Sequence, residues 1–198
     1  MFLRQDGILR GEYNEQSMVK LNKHPAPIVL SLLASALIGG LAAPASLAYI
    51  AEERQLSFYH THTRANLQVI YAVDGEYVDS ALEQINVFLS DFRTGDKVDI
   101  DPALLDLIYD VRASLGSGGT FEVISAYRSP GTNEMLRNNS NGVARNSQHL
   151  LGKAIDVRLR DVATIDLRDA AISLHRGGVG YYESSDFVHI DTGRVRRW

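Results

Sequence analysis

The fold and the site of this chain depend on residues 147–157, SQHLLGKAIDV, and on residues 187–191, FVHID. Apolar residues alternate with polar ones at 154–159 and again in the second stretch, which predicts a β-strand in each. Successive side chains of a strand point to opposite faces. Asp156 and His189 are therefore each expected on the face of their strand that does not carry the apolar residues. The two stretches therefore predict strands that present a carboxylate and an imidazole on a common side.

Three side chains in these stretches are of the types that bind a catalytic metal ion. His149 precedes the first strand, and Gly152 allows the chain to bend back toward it. His149, Asp156 and His189 together match the three-ligand set of catalytic zinc, with the fourth position left to water. The same set also holds iron. Spacing alone leaves ordinary hydrogen-bonded histidines as an alternative.

Two further carboxylates flank the last of these ligands. Asp186 lies three residues before His189, and we expect it to sit beside the water in the fourth position as a general base. Asp191 is expected to accept a hydrogen bond from an imidazole, because metal-binding histidines usually donate their second N–H to an oxygen atom.

Composition limits the class of protein. The chain has 198 residues, a net charge of −4 and no cysteine. The length leaves room for one domain and a tail, and scattered Lys and Arg argue against nucleic-acid binding. Without cysteine there is neither a disulfide framework nor a thiolate metal site. Nitrogen and oxygen atoms must therefore hold any metal.

The N-terminal segment, residues 1–51, differs from the rest of the chain. Residues 26–50 contain no charged side chain, and residues 28–41 have the apolar character of a signal-peptide core. Residues 46–48, SLA, fit a cleavage site. An uncleaved anchor is the alternative, because the uncharged run is long enough to span a bilayer. We therefore expect export to the periplasm or cell envelope, with inner-membrane association if the segment stays uncleaved.

Residues 52–198 predict a single α+β domain. Helical and strand patterns are interspersed with hairpins, which favours a central antiparallel sheet flanked by helices over a doubly wound sheet. The predicted elements are strands at 56–62 and 65–71, helices capped by Asp79 and Asp101, a strand at 121–125, a helical turn at 130–137, a strand at 154–159, a helix at 165–175, and a hairpin of 179–182 with 187–191.

Several motifs resemble those of the zinc D-Ala-D-Ala carboxypeptidase and hedgehog-type peptidase superfamily. They are S-x-H-x-x-G-x-A-x-D at 147–156, SAYRS at 125–129 and VHID at 188–191. Within that superfamily, the chain is most similar to the YcbK-type murein endopeptidases. The segments that carry this closer resemblance are at 56–62, 142–144, 177–182 and 192–198. The resemblance covers residues 52–198 and implies the fold of that superfamily.

The resemblance also implies roles for individual residues. It assigns zinc binding to His149, Asp156 and His189. It places the base at Asp186, where the family often has glutamate. It gives Arg128 the role of polarising the scissile carbonyl or holding a substrate carboxylate, with a simple ion pair as the alternative. His60 and His62 share one face of a predicted strand and could form a second metal pair, but we expect both to be structural because neither belongs to the ligand motif.

The implied function is zinc-dependent hydrolysis of cross-links between peptidoglycan stem peptides. A zinc-activated water attacks the amide, and the bond between two diaminopimelate residues is the closest analogy. One alternative is an exported carboxypeptidase that releases D-amino acids. Another is a zinc-containing cell-wall binding module without turnover, which would not need a carboxylate at position 186. We expect a monomer that binds stem peptides and no nucleic acid.

Overall fold

The computed structural model describes residues 51–140 and 142–198. The strands are β1 (Glu53–His60), β2 (Asn66–Val73), β3 (Glu76–Tyr77), β4 (Phe121–Ser125), β5 (Ala154–Leu159), β6 (Gly178–Tyr182), β7 (Phe187–Asp191) and β8 (Arg196–Arg197). The helices are α1 (Asp79–Phe88), α2 (Pro102–Ser114), α3 (Pro130–Asn139) and α4 (Thr164–Ser173). Short 3-10 helices lie at Gln148–Leu151 and Glu183–Ser185.

The strands form one sheet in the order β3-β2-β1-β4-β5-β7-β6-β8. Neighbouring strands are antiparallel except for the parallel pairs β1–β4 and β6–β8. A parallel pair requires a long connection, and the chain passes through β2, β3, α1 and α2 between β1 and β4. The predicted α+β fold is confirmed, and the two parallel pairs are an addition to the predicted antiparallel sheet.

The starts of the first two long helices differ in their capping. The Asp101 side chain accepts a hydrogen bond from the backbone N–H of Ala103 at 3.0 Å, and Pro102 opens α2 as predicted. Val78 occupies the cap position of α1, without a side-chain cap. The expectation that Asp79 is a cap is wrong, because it lies in the first helical turn, where its charge favours the helix dipole.

One hydrophobic core joins the sheet to three of its helices. Helix α1 contacts β2, α2 contacts β1, and α4 contacts β5, β6 and β7. In the middle of the sheet, the core receives Ile155 and Val157 from β5 and Val188 and Ile190 from β7. Strand alternation then turns the residues between them to the opposite face. The core thereby orients the side chains of the candidate metal site.

The N-terminal prediction concerns a part of the chain that the structure does not describe. The export signal or anchor was predicted for residues 1–51, of which residues 1–50 lie outside the described residues, and it stays a prediction. Within residues 51–140 and 142–198, no helix combines the length and apolar character needed to cross a membrane.

Gly152 forms the tight turn that connects His149 to β5. Its φ is +65°, and an added Cβ would lie 2.5 Å from the backbone oxygen of Asp99. A left-handed conformation costs a residue with a side chain about 1–2 kcal/mol, and this contact adds to that cost. We expect Gly152→Ala to lower the free energy of unfolding by at least about 2 kcal/mol and Tm by about 4–8 °C.

Gly131 provides the matched control for this stability measurement. It lies in the first turn of α3, and an added Cβ would meet no atom within 4 Å. Because alanine favours a helix more than glycine does, Gly131→Ala should leave Tm unchanged or slightly raised in the same calorimetric experiment. Equal Tm values for Gly152→Ala and the wild type would contradict the role given to Gly152.

Candidate metal centre

Three buried side chains bring their donor atoms together on the face of the sheet opposite the core. The Nε2 atom of His149 lies 3.2 Å from Asp156 Oδ1 and 3.2 Å from His189 Nδ1. The distance between His189 Nδ1 and Asp156 Oδ1 is 2.8 Å. We call these residues the metal triad. Among the described residues, no other set of three histidine or acidic side chains converges in this way.

The sheet and one turn place the metal triad. Asp156 on β5 and His189 on β7 are direct partners in the antiparallel register, so their side chains are neighbours. His149 comes from the 3-10 helix before β5, whose first turn is capped by the hydroxyl of Ser147. Gly152 then reverses the chain into β5. The sequence predicted this convergence, and the structure brings all three residues together.

In each imidazole of the metal triad, the outer nitrogen is the ring nitrogen that does not face Asp156. A hydrogen bond on this outer nitrogen sets the tautomer of the ring. His149 Nδ1 donates to the carbonyl oxygen of Ala126 at 2.6 Å, and His189 Nε2 donates to Asp191 Oδ2 at 2.8 Å. Because a carbonyl or carboxylate oxygen only accepts, the outer nitrogens carry the protons. In the neutral imidazoles the inner nitrogens, His149 Nε2 and His189 Nδ1, therefore present lone pairs to Asp156. Metal-binding histidines commonly make this kind of outer contact.

The donor set fits a metal ion. With both imidazoles neutral, two nitrogen lone pairs and one carboxylate oxygen meet within 2.8–3.2 Å. Three acceptors at this separation repel one another unless a cation lies between them. Two nitrogens and one oxygen are a ligand set of catalytic zinc, which keeps a further position open. The same donors also suit ferrous iron.

The protonation states of His149 and Asp156 favour binding of a cation, whereas His189 also attracts a proton. Burial lowers the pKa of His149 and outweighs the attraction of Asp156, so this imidazole stays neutral. Burial raises the pKa of Asp156, but its contacts with His149 and His189 lower the pKa by more than burial raises it. The net pKa lies below the ordinary value, so the carboxyl is ionised. Burial lowers the pKa of His189, but its hydrogen bonds to Asp156 and Asp191 raise it overall. Metal must therefore compete with a proton on His189, and acid weakens binding.

Arg128 lies beside the metal triad and lines the same cavity. Its Nη2 donates to Asp156 Oδ2 at 2.7 Å, and its Nε donates to the hydroxyl of Ser125 at 3.0 Å. Asp156 therefore faces the two histidines with one oxygen and Arg128 with the other. The ion pair considered from the sequence is present, and it holds the guanidinium at the cavity. A direct role of Arg128 toward substrate stays a prediction.

The metal triad opens into a cavity of about 390 Å³ with two unlike walls. One wall comes from the loop after α3 and from the start of the following 3-10 helix, and it includes Ser140, Gly142, Val143, Ala144, Asn146, Ser147 and Gln148. Tyr182, Phe187 and Trp198 form an aromatic wall, and Ser185 and Arg196 also line the cavity. A peptide that enters this cavity meets both polar groups and aromatic rings.

Asp186 is not brought together with the metal triad. Its Oδ2 accepts from Arg158 Nη1 at 3.1 Å, and its Oδ1 accepts from the Thr164 hydroxyl at 2.6 Å. The side chain is 59% exposed and is not among the residues that line the cavity. Hydrogen bonds from Thr164 and Arg158 lower the pKa of Asp186, which makes it a weaker proton acceptor. This arrangement does not support the predicted role of base.

The turn before β7 explains why the Asp186 side chain is not brought together with the metal triad. Asp186 has a left-handed backbone, with φ of 52° and ψ of 56°, and it ends the 3-10 helix at Glu183–Ser185. Aspartate is one of the few residues that tolerate this conformation.

Because the Asp186 carboxylate bonds to Arg158 and Thr164, we expect Asp186→Ala to lower kcat/KM by less than about tenfold, below the 100- to 10,000-fold that a general base contributes. A larger loss with metal still bound would restore Asp186 as the base.

His60 and His62 lie in a separate aromatic cluster, as the prediction of a structural role requires. His60 Nδ1 accepts from the backbone N–H of His62 at 3.2 Å. The His62 ring stacks on Phe92 with centroids 4.1 Å apart, and the His60 ring contacts both Phe88 and Phe92 edge-on. Neither imidazole belongs to the metal triad.

Sequence reasoning missed three contributors to the site. The carbonyl of Ala126 holds His149, yet a backbone oxygen carries no sequence signal. Arg196 bonds Asp191 with both terminal nitrogens, and Trp198 lies beside His189 with ring centroids 5.3 Å apart. Arg196 and Trp198 belong to the C-terminal segment 192–198, for which the sequence indicated a family resemblance but no role at the site.

Comparison with known proteins gives consistent matches. A family model described as Peptidoglycan L,D-endopeptidase MepK matches residues 48–198. The Peptidoglycan L,D-endopeptidase MepK of Escherichia coli (strain K12) is 39% identical over 145 residues, which is 73% of this chain and 80% of that protein. The Probable peptidoglycan L,D-endopeptidase MepK of Haemophilus influenzae is 40% identical over 146 residues, covering 73% of this chain and 78% of that protein.

Proposed function

Because the chain belongs to the family described as peptidoglycan L,D-endopeptidase MepK, we propose that it hydrolyses L,D cross-links between peptidoglycan stem peptides at the metal triad. The chain is a peptidoglycan endopeptidase and a metallopeptidase, as the sequence predicted. The alternative of a binding module without turnover is therefore set aside. The observation that carries the site assignment is the convergence of His149 Nε2, Asp156 Oδ1 and His189 Nδ1 within 3.2 Å of one another.

We propose zinc as the metal, held by His149 Nε2, Asp156 Oδ1 and His189 Nδ1. Two imidazoles, one carboxylate and an open cavity beside them support this choice. When bound there, zinc supplies a Lewis acid that polarises a carbonyl and lowers the pKa of coordinated water to about 7. The outer hydrogen bonds to Ala126 and Asp191 fix the tautomers in which the inner nitrogens of the neutral imidazoles face the metal site.

Arg128 is proposed to stabilise the negative charge that develops on the carbonyl oxygen of the scissile amide. A guanidinium has five N–H donors, and the contacts with Asp156 and Ser125 use its Nη2 and Nε atoms. Those contacts fix the side chain, which is 12% exposed and lines the cavity. A positive charge that is already in place at the reacting group stabilises the transition state without reorganisation.

The site of action is proposed to be the periplasm or cell envelope, because the substrate is peptidoglycan. Residues 1–51 carry the predicted export signal or anchor. Fractionation of cells that produce the full chain, with N-terminal sequencing of the product, tests this. Recovery of the whole protein in the cytoplasm would contradict export.

Two purified muropeptide dimers test the bond proposed for cleavage. In one, two diaminopimelate residues are joined to each other; in the other, the cross-link passes through D-alanine. We expect the zinc-loaded full chain to convert only the first into monomers identified by mass, with His149→Ala as the inactive control. Cleavage of the second alone would contradict the L,D assignment. Release of single D-amino acids from both, with the cross-links intact, would indicate the carboxypeptidase.

A further inference from the structure

We infer that Arg196 is a positioning residue that sets the metal affinity of the site by holding Asp191 against the metal ligand His189. This inference rests on the proposed metal-binding role of the metal triad. It assigns to the C-terminal strand, β8, a part in the metal centre although the strand contributes no ligand.

The contacts form a continuous chain from Arg196 to the metal triad. Arg196 Nη2 donates to Asp191 Oδ2 at 2.6 Å, and Arg196 Nη1 donates to Asp191 Oδ1 at 3.0 Å. Such a paired contact between a guanidinium and a carboxylate fixes the orientation of both groups. Asp191 Oδ2 also accepts from His189 Nε2 at 2.8 Å. The position of the carboxylate therefore determines the direction in which the His189 ring faces.

Asp191 needs a cationic partner because it is fully buried. The backbone N–H groups of Gly178 and Gly193 donate to its Oδ1 atom at 3.1 and 2.8 Å, but they bring no net charge. A buried carboxylate without a counter-charge is costly. Removal of the guanidinium therefore favours water entry or a displaced Asp191 side chain. Each of these changes weakens the hold on His189.

The sheet is built so that the Arg196 side chain reaches Asp191 across an intervening strand. Strand β6 lies between β7 and β8, and Gly178 on β6 is in register with Asp191 on one side and Arg196 on the other. A Cβ at Gly178 would lie 2.4 Å from Arg196 Nη1 and 2.5 Å from Asp191 Oδ2. The absence of a side chain at this position therefore provides the space in which the two charged groups meet.

A second contact joins Arg196 to the aromatic wall. Its guanidinium lies 4.9 Å from the centre of the Trp198 ring, and that ring lies 5.3 Å from the His189 ring. The indole Nε1 donates to the Tyr182 hydroxyl at 3.1 Å. Arg196 thus contacts both Asp191, which bonds to the outer nitrogen of His189, and Trp198, which packs beside the same imidazole.

Zinc affinity of the full chain, measured by competition with a chromogenic chelator, tests this inference. We expect Arg196→Ala to weaken zinc binding by about 10- to 100-fold, the usual effect of removing a partner of a metal ligand. Arg196→Lys should recover only part of the loss, because an ammonium group cannot make the paired contact. Arg197→Ala is the matched control, since this exposed neighbour lies on the same strand, and it should bind zinc as the wild type does.

Two further measurements separate positioning from a general loss of structure. If Arg196 acts through Asp191, the double variant Arg196→Ala with Asp191→Asn should bind zinc no more weakly than Asp191→Asn alone. The absorption spectrum of bound Co²⁺ should change in Arg196→Ala and stay unchanged in Arg197→Ala. Thermal unfolding of the metal-free variants identifies any loss that arises only from unfolding, and Arg196→Lys serves if Arg196→Ala does not fold.

The outcomes separate this inference from the proposed function. A wild type that binds zinc, with Arg196→Ala within about twofold of it, would overturn this inference alone. Independent, additive losses in the double variant would overturn the pathway through Asp191. A wild type that binds no zinc would overturn both proposals. Weakened zinc binding in Arg196→Ala, with no cleavage by the wild type, would support this inference and overturn the proposed function.

Discussion

Replacing His149 with alanine is expected to abolish stoichiometric zinc binding and to lower kcat/KM by at least about 1,000-fold. His149 is buried, and its Nε2 atom supplies one of the three converging lone pairs. Only one imidazole and one carboxylate remain in the variant, fewer than the three protein ligands of a catalytic zinc site. Zinc content after dialysis, together with the rate of muropeptide release, measures both effects.

His62→Ala is the control for this experiment. It also removes an imidazole, but one that is exposed and stacks on Phe92 outside the metal triad. We expect this variant to keep its zinc and its activity. One zinc ion per chain in His149→Ala, with activity near that of the wild type, would refute the assignment of His149 as a ligand.

Arg128→Ala is expected to lower kcat by about 100- to 1,000-fold, the cost of removing one group that stabilises an oxyanion. The side chain is fixed beside the metal triad by Asp156 and Ser125, so its charge is in place before substrate binds. The steady-state constants of zinc-saturated enzyme measure the effect. Because Arg128 also bonds a ligand, zinc content must be determined for the same samples.

The division of the loss between kcat and KM identifies what Arg128 does. A loss in kcat indicates stabilisation of the developing oxyanion, whereas a loss confined to KM indicates that the guanidinium holds a substrate carboxylate. Arg137→Ala is the matched control, because it removes a guanidinium from the last turn of α3, outside the residues that line the cavity. Unchanged kcat and KM in Arg128→Ala would leave Arg128 with only its ion pair.

The parts of the site that depend on local periodicity were predictable from the sequence. Alternation in β5 and β7 placed Asp156 and His189 on the face opposite Val157 and Val188, and the structure has the same arrangement. Gly152 marked the bend that brings His149 into place. Each of these inferences used neighbouring residues only, because the period of a strand and the needs of a tight turn are local properties.

The parts that depend on distant register were not predictable in this way. The spacing of three residues from His189 pointed to Asp186 as a base, but a left-handed turn leaves its carboxylate with Arg158 and Thr164. The contact of Arg196 with Asp191 requires β8 to lie beside β6, with glycine at the crossing. Neither fact follows from spacing, since each depends on how separate segments pair.

The most direct test of the account compares zinc-loaded and chelator-stripped full-length protein on whole peptidoglycan sacculi. The released muropeptides are separated and identified by mass. We expect the zinc-loaded protein to convert L,D-cross-linked dimers into monomers, the stripped protein to release none, and added zinc to restore cleavage. Equal cleavage by the stripped protein, confirmed to be metal-free, would contradict a metal-dependent endopeptidase at His149, Asp156 and His189.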